Sequence, residues 1–145
     1  MQISKKGLSL LKEWEGCLLH IYKDSAGYPT IGVGHLISKG EDFSKGLTEQ
    51  QASDLLAKDI LPKANTVNTL VKVPLTQDQF DALVSFTFNV GSSAFKASTL
   101  LKKLNNKDYL SVPTELLKWT KAGGILNEGL VNRRNKEIKL WKGLI

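Results

Sequence analysis

The chain has 145 residues, 41% of them hydrophobic, enough for one well-buried core and at most two lobes sharing it. Its 20 Lys and Arg against 14 Asp and Glu leave a formal charge of +6, which favours polyanionic partners. Only Arg133, Arg134 and Lys136 cluster, however, so no nucleic-acid partner is expected. One cysteine, Cys17, excludes an intrachain disulfide, no stretch approaches the roughly 18 apolar residues of a membrane span, and Met1–Lys6 is not followed by the apolar core of a signal peptide.

In chain order, Ser4 is placed as an N-cap, and Leu8, Leu11 and Trp14, with Leu10, form the inward stripe of a first helix that Gly16 ends. Glu15 follows Leu8 by seven residues and Leu11 by four, so the helical period sets it on that stripe. A carboxyl group there either keeps its proton through desolvation or meets a cation from elsewhere in the fold, and both suit a general acid. Leu18 to Lys23 reads as a strand, Asp24-Ser25-Ala26-Gly27 as a turn, and Thr30 to Ile37 as one returning strand. Gly32 and Gly34 alternate with Ile31 and Val33, a pattern that admits close approach of another backbone or an extended ligand. They are no phosphate cradle, since Ile37 stands where a dinucleotide fingerprint requires glycine.

Thr48-Glu49-Gln50-Gln51 has the form of a capping box and opens a long helix reaching about Val71, which Pro62 is expected to kink or interrupt. Thr76-Gln77-Asp78-Gln79 opens another, carrying Phe80, Leu83, Val84 and Phe88 and closed by Gly91. Shorter helices are expected at Ser98 to Leu104 and at Asp108 to Trp119, the latter disturbed by Pro113. A break at Gly123-Gly124 then precedes a last helix from about Leu130 to Trp141. The fold class is α+β. Residues 16–58 form a small hairpin-bearing lobe, residues 1–15 with 59–145 a larger mainly helical lobe, joined by the long helix into one unit.

Three side chains in this order carry hydrolytic chemistry. Breaking a glycosidic bond needs an acid to protonate the leaving oxygen and a second group that attacks the sugar carbon or aims a water at it. Glu15 fits the acid. Asp24, in a wet turn at a strand end, stays ionised and either stabilises positive charge on the sugar or serves as base. Thr30, across the hairpin, offers a hydroxyl able to hold a water beside Asp24. Singly, Asp24 and Thr30 are ordinary turn and strand residues; the combination is what points to catalysis. Two histidines and one cysteine without ligand spacing predict neither metal nor cofactor. His35 reads as a structural anchor of the hairpin, and Cys17 as a small apolar side chain.

Glu15, eight residues, Asp24, five residues, Thr30, then Ile31-Gly32-Val33-Gly34-His35 resembles the active-site signature of the phage-type lysozymes, the endolysin muramidases of glycoside hydrolase family 24. Phe88-Asn89-Val90-Gly91, Phe95 with Ser98, Trp119 and Asn132-Arg133-Arg134 resemble the family's later segments, so the likeness covers essentially the whole chain. It implies a lysozyme-like fold with a cleft between lobes and hydrolysis of the β-1,4 bond between N-acetylmuramic acid and N-acetylglucosamine in peptidoglycan, lysing the host cell. It also implies an inverting scheme in which Asp24 and Thr30 position water, with the retaining course as the alternative. Leu36, Phe88, Asn89 and Ser98 are implied as substrate contacts, and Arg133 as active-site support approaching Glu15; otherwise Arg133 is a solvated helix position. A monomer made in the host cytoplasm, without membrane insertion and reaching the wall through a holin, completes the expectation. The rival readings are a lytic transglycosylase and a non-catalytic wall-binding or nucleic-acid module.

Overall fold

Ser4 starts the first helix by accepting the Gly7 N–H on its hydroxyl (2.9 Å), and α1 runs Lys5–Glu15 until Gly16, at φ 78°, turns the chain left-handed and donates back to the Lys12 carbonyl (3.0 Å). The computed structural model describes all 145 residues and has an α+β architecture: seven α-helices, a three-stranded antiparallel sheet and a two-stranded one. Two compact units emerge, one of Leu8–Leu61 and one of Met1–Gly7 with Pro62–Ile145. Both α1 and the long helix α2, Glu49–Leu70, contribute residues to each.

In the Leu8–Leu61 unit, β1 (Leu18–Lys23) pairs with β2 (Pro29–Gly32), which pairs with β3 (His35–Leu36). The single returning strand expected from Thr30 to Ile37 is in fact two strands. Gly32 and Gly34, at φ 66° and 68°, reverse the chain about Val33 so that Ile31 faces His35 in register. These glycines serve conformation more than close approach, because an added Cβ at Gly32 would meet only ordinary van der Waals neighbours and one at Gly34 none. Ile31, Val33, Ala52, Leu56 and Ile60 are the buried apolar side chains here, along with Leu11. Helix α2 begins with the expected capping box, Gln51 N–H to the Thr48 hydroxyl (3.1 Å) and Thr48 N–H to the side-chain oxygen Oε1 of Gln51 (2.9 Å). It continues through Pro62 without interruption, and the Thr66 hydroxyl donates to the Pro62 carbonyl (2.9 Å).

His35 ties β3 to α2 and to the intervening loop. Its Nδ1 lies 2.7 Å from Asp59 and its Nε2 3.0 Å from Glu41, whose carboxylate also accepts the Ser38 N–H. Burial alone would push the imidazole down, but the hydrogen bonds and charges of Glu41 and Asp59 outweigh it and hold it above its ordinary value. Phe43 packs edge-on against the ring.

The other unit is built on α3, Gln77–Val90, in which every residue from Phe80 to Thr87 is buried, as befits a helix covered on all sides. Around it lie α4 (Ser92–Ala97), α5 (Thr99–Asn105), a 3-10 turn at Tyr109–Ser111, α6 (Val112–Leu116) and α7 (Glu128–Trp141). The helix expected over Asp108 to Trp119 is thus split, and Pro113 sits in the first turn of α6, where its missing N–H costs nothing. The Gly123-Gly124 break is the turn of a hairpin between β4 (Lys121–Ala122) and β5 (Ile125–Leu126), and α4 had no sequence signal of its own. Phe86 receives the edges of Phe95 and Trp119 at centroid distances of 6.3 and 5.4 Å. Asn105 closes the end of α2, donating to the Leu70 carbonyl (2.9 Å) and accepting from the Lys72 N–H (2.7 Å).

Buried Asp81 of α3 fastens the amino-terminal segment. It accepts from the Ser4 N–H (3.1 Å), the Ser4 hydroxyl and the Gln77 amide (2.9 Å), and Gly7 lies so close that an added Cβ would come within 2.6 Å of its carboxyl carbon. We expect Gly7→Ala to destabilise the protein by about 1–2 kcal/mol in denaturant melts: the overpacking cost of about 1–3 kcal/mol exceeds the gain in helix propensity of about 1 kcal/mol. For His35→Asn we expect a pH-dependent loss of about 1 kcal/mol, moderated by solvent screening. Because the folded imidazole titrates above its unfolded value of 6.5, the contribution is complete below that pH and disappears as pH rises through the folded value. Thermal melts of wild type and variant should therefore differ most in mild acid and converge in alkali.

Candidate active site

Asp24 follows β1 and begins the reversal to β2. Its Oδ1 accepts the N–H groups of Ala26 (3.0 Å) and Tyr28 (2.9 Å), its own N–H donates to the Tyr28 carbonyl (2.9 Å), and Gly27, at φ 85°, donates to the Asp24 carbonyl (2.9 Å). One carboxylate oxygen is thereby committed to the turn, and Oδ2 makes no bond within the fold. Thr30, only 1% exposed, sits on β2 opposite Tyr22, one register step from the Lys23–Pro29 pair at the mouth of the hairpin. Its hydroxyl donates to the Tyr28 carbonyl at 2.9 Å. With its proton so used, the Thr30 oxygen has acceptor capacity left over and no second donor to offer.

Tyr28 therefore links the two residues through its backbone: its N–H goes to Asp24, and its carbonyl receives Thr30. Residue type gave no sign of this, because the work is done by the peptide groups. Its position, four residues past an Asp that opens a turn, was the available clue.

Glu15 is the last residue of α1, three positions before β1, in the same unit as Asp24 and Thr30. Contrary to the expectation from the helical stripe, it is exposed. The stripe is deepest at Gly7 and Leu11, Trp14 is half-buried, and the helix stops at Glu15, so no further turn covers it. Burial is accordingly not the basis of any acid role in the ligand-free protein. Cys17, nearby, is half-buried, and desolvation pushes its thiol up, away from nucleophilic use. Leu36 is exposed and stands opposite Thr30 in the β2–β3 register. His35 is held by Asp59 and Glu41 as described, and no group of three or more His, Cys, Asp or Glu side chains converges to hold a metal.

The remaining sequence candidates lie in the other unit. Phe88 is half-buried, unlike Phe80 and Phe86, and Asn89 is exposed. Ser98 is buried, with its hydroxyl donating to the Phe95 carbonyl (2.7 Å) and accepting the Leu101 N–H (3.1 Å) as the cap of α5. Arg133 is not on a solvated helix face: it is 8% exposed and donates to Glu137 (3.3 Å) and to the Ser85 carbonyl (3.2 Å). Glu137, fully buried, also accepts from Arg134 (2.7 Å) and the Ser85 hydroxyl (2.6 Å). Burial, the largest influence, pushes its carboxyl up, against the opposing pull of the two guanidiniums. Arg134, itself fully buried, lies 4.9 Å above the Phe86 ring and donates to Asn89 Oδ1. Sequence reasoning missed this cluster, although Arg133 and Arg134 stand four and three residues before Glu137, the spacing of helical ion pairs.

Known proteins match this arrangement along nearly its whole length. The phage lysozyme family pattern matches residues 12–137. An endolysin of Acyrthosiphon pisum secondary endosymbiont phage 1 is 43% identical over 146 aligned positions, covering 98% of this chain and 99% of the relative. A crystal structure of a mutant P22 lysozyme superposes with a TM-score of 0.87 at 40% identity, covering 98% of this chain and 99% of the other. The muramidase domain of SpmX from Asticaccaulis excentricus does so with a TM-score of 0.87 at 37% identity, over 97% of each chain. With the helix, hairpin and helical unit all accounted for, the chain belongs to the phage lysozyme family and is a lysozyme-type glycoside hydrolase.

Proposed function

We propose that this protein is an endolysin that cuts the β-1,4 bond between N-acetylmuramic acid and N-acetylglucosamine in bacterial peptidoglycan, with Glu15 as general acid and Asp24 with Thr30 positioning the attacking water. The observation that carries the reading is the Tyr28 backbone, whose N–H and carbonyl pin Asp24 and Thr30 into one hairpin and leave Asp24 Oδ2 unclaimed. A water seated between them would donate one hydrogen to Thr30 Oγ1, whose own proton is engaged, and the other to Asp24 Oδ2. Its lone pair would then be aimed at the anomeric carbon. As the bond to the leaving oxygen lengthens, Glu15 transfers a proton to that oxygen and Asp24 takes one from the water, so the charges balance. Glu15 is exposed in the ligand-free protein, so the leaving oxygen of a bound glycan can reach it, and a glycan lying over it would exclude water from the reaction.

Direct attack by water inverts the anomeric centre, whereas a bond from Asp24 to the sugar would retain it. The hydroxyl acceptor beside Asp24 favours the first course. Leu36, Phe88 and Asn89 are assigned to the walls that hold the glycan, Arg133 to active-site support, and Ser98 to the wall through the α5 cap it makes. The charge of +6 draws the protein to the carboxylates of stem peptides and to anionic wall polymers. No helix is long and apolar enough to cross a membrane. A holin is assigned as the route to the wall and a monomer as the working form.

Digesting purified walls in heavy-oxygen water tests the reaction: mass spectrometry should find one labelled oxygen on a reducing end, with the α-anomer appearing first by proton NMR. Anhydro-sugar products would replace this reading with a transglycosylase. For Glu15→Gln, turbidity assays should show lysis lowered by about 10²–10⁴-fold, the usual weight of a positioned acid, with sedimentation on walls unchanged. Full activity in that variant would remove Glu15 from the mechanism. Thr30→Val should lower kcat by about 10²-fold through a misplaced water and cost about 1 kcal/mol of stability. Thr30→Ser should recover most of both.

A further inference from the structure

Helices α2 and α4 leave a groove of about 330 Å³ between them. Pro62, Thr66 and Thr69 line it from one face of α2, at positions i, i+4 and i+7, and Ser92, Ser93 and Lys96 line it from α4. Proline, serine and threonine side chains are too short to close the space, so it stays open. The half-buried Thr66 and Ser92 hydroxyls lie 3.0 Å apart. Thr66 spends its one proton on the Pro62 carbonyl, so Ser92 supplies the proton between the two hydroxyls and keeps acceptor lone pairs to spare. Asn65, Ser93 and Lys96 are exposed, and their side chains make no hydrogen bond or ion pair within the fold.

Charge along both walls has one sign. No Asp or Glu occurs from Ile60 to Gln77 or from Ala82 to Lys107, whereas Lys63, Lys72, Lys96, Lys102, Lys103 and Lys107 do. An anion is attracted here, and nothing in either wall repels it.

We infer that this groove binds the carboxyl-terminal end of a short peptide with small aliphatic side chains. The carboxylate meets the Lys96 ammonium, and the last peptide N–H meets Ser92, one turn earlier on the same side of α4. Asn65 serves a peptide group as donor and acceptor. The Pro62 ring, the threonine methyls and Leu70 give apolar surface to methyl-sized side chains, which an inorganic anion would leave unused. No aromatic ring lines the groove, so a sugar has no face to stack on. Stem peptides of peptidoglycan, rich in alanine and ending in free carboxylates, fit this description. That source rests on the wall-hydrolase reading, although the groove shares no residue with the glycan walls assigned there. A site with one exposed ion pair is weak, but a wall repeats the peptide many times and so slows departure.

The test is an amide NMR titration of the labelled full-length protein with N-acetyl-D-alanyl-D-alanine, with the same peptide amidated at its carboxyl group, and with acetate. The free peptide should shift the signals of Thr66, Thr69, Ser92, Ser93 and Lys96 with a Kd of about 1 mM. Amidation should weaken binding about fivefold, the upper range for an exposed ion pair. In Lys96→Met the free and amidated peptides should bind alike, because only the ion pair tells them apart. Thr69→Trp fills the groove without altering charge and should abolish binding of both. Equal binding of the two peptides by the wild type, acetate binding as tightly as the free peptide, or binding that survives Thr69→Trp overturns the inference. Should Thr69→Trp fail to fold, the comparison of peptides in wild type and Lys96→Met decides. In the Glu15→Gln background, where walls stay intact, Thr69→Trp should lower the sedimenting fraction severalfold, and an unchanged fraction overturns the stem peptide as the source. Binding is read here without turnover, so its failure leaves the hydrolase reading standing. A wild type that cuts no walls fails that reading and leaves the titration untouched.

Discussion

The Asp24 carboxylate has two oxygens and the structure uses only one of them. Oδ1 closes the hairpin by accepting the Ala26 and Tyr28 N–H groups, and this fixes the plane of the carboxylate and hence the direction of Oδ2. The turn is thus made by the group that the proposed reaction needs, and the reacting atom is positioned by the fold rather than by a later conformational choice. Thr30 is locked by the carbonyl of that same Tyr28. The two peptide groups that flank Tyr28 thus fix both partners of the proposed water, just before the register of Lys23–Pro29 and Tyr22–Thr30 begins.

Helix α3 solves a different problem, that of carrying polar chemistry through a buried element. Its residues from Phe80 to Thr87 are all buried, yet the polar residues Asp81, Ser85 and Thr87 lie among them. Asp81 and Ser85 are each met by a partner from another segment. Asp81 receives Ser4 and Gln77, which fastens the amino-terminal residues, while Ser85 receives Arg133 at its carbonyl and donates its hydroxyl to Glu137, which fastens α7. Burying such groups is tolerable only because partners with specific geometry meet them, so each polar residue also dictates which segment packs where. An apolar helix of the same length would bind its neighbours as strongly and orient them less well.

Much of this was legible in the residues. Capping boxes at Thr48 and Thr76, the stop at Gly16 and the turn after Asp24 are local chemistry with a fixed spatial meaning, and they give the element order directly. What the sequence concealed depended on partners far along the chain. The run from Thr30 to Ile37 reads as one strand because Gly32 and Gly34 keep a period of two, and only their positive φ values reveal the reversal. Glu15 has the right period for a buried face, but the period does not say that the helix ends at this residue and leaves it exposed. The buried ionic cluster left a trace that periodicity could have caught: Asp81, Ser85 and Asn89 recur every fourth residue on a helix that is apolar from Phe80 onward apart from these and Thr87, which marks one polar stripe. Reading that stripe as meaningful required knowing that α7 brings Arg133, Arg134 and Glu137.

The distribution of burial among the charged groups follows a consistent logic. Arg134 and Glu137 are fully withdrawn from solvent, where a low dielectric strengthens their mutual hold and makes any other arrangement costly, and that suits groups whose task is to stay still. Glu15 is exposed and Asp24 half-buried, and the proposed reaction requires that of groups which must meet both a polymer and a water. In that reaction a bound glycan would itself exclude water from these side chains, so the ligand-free surface need not bury them.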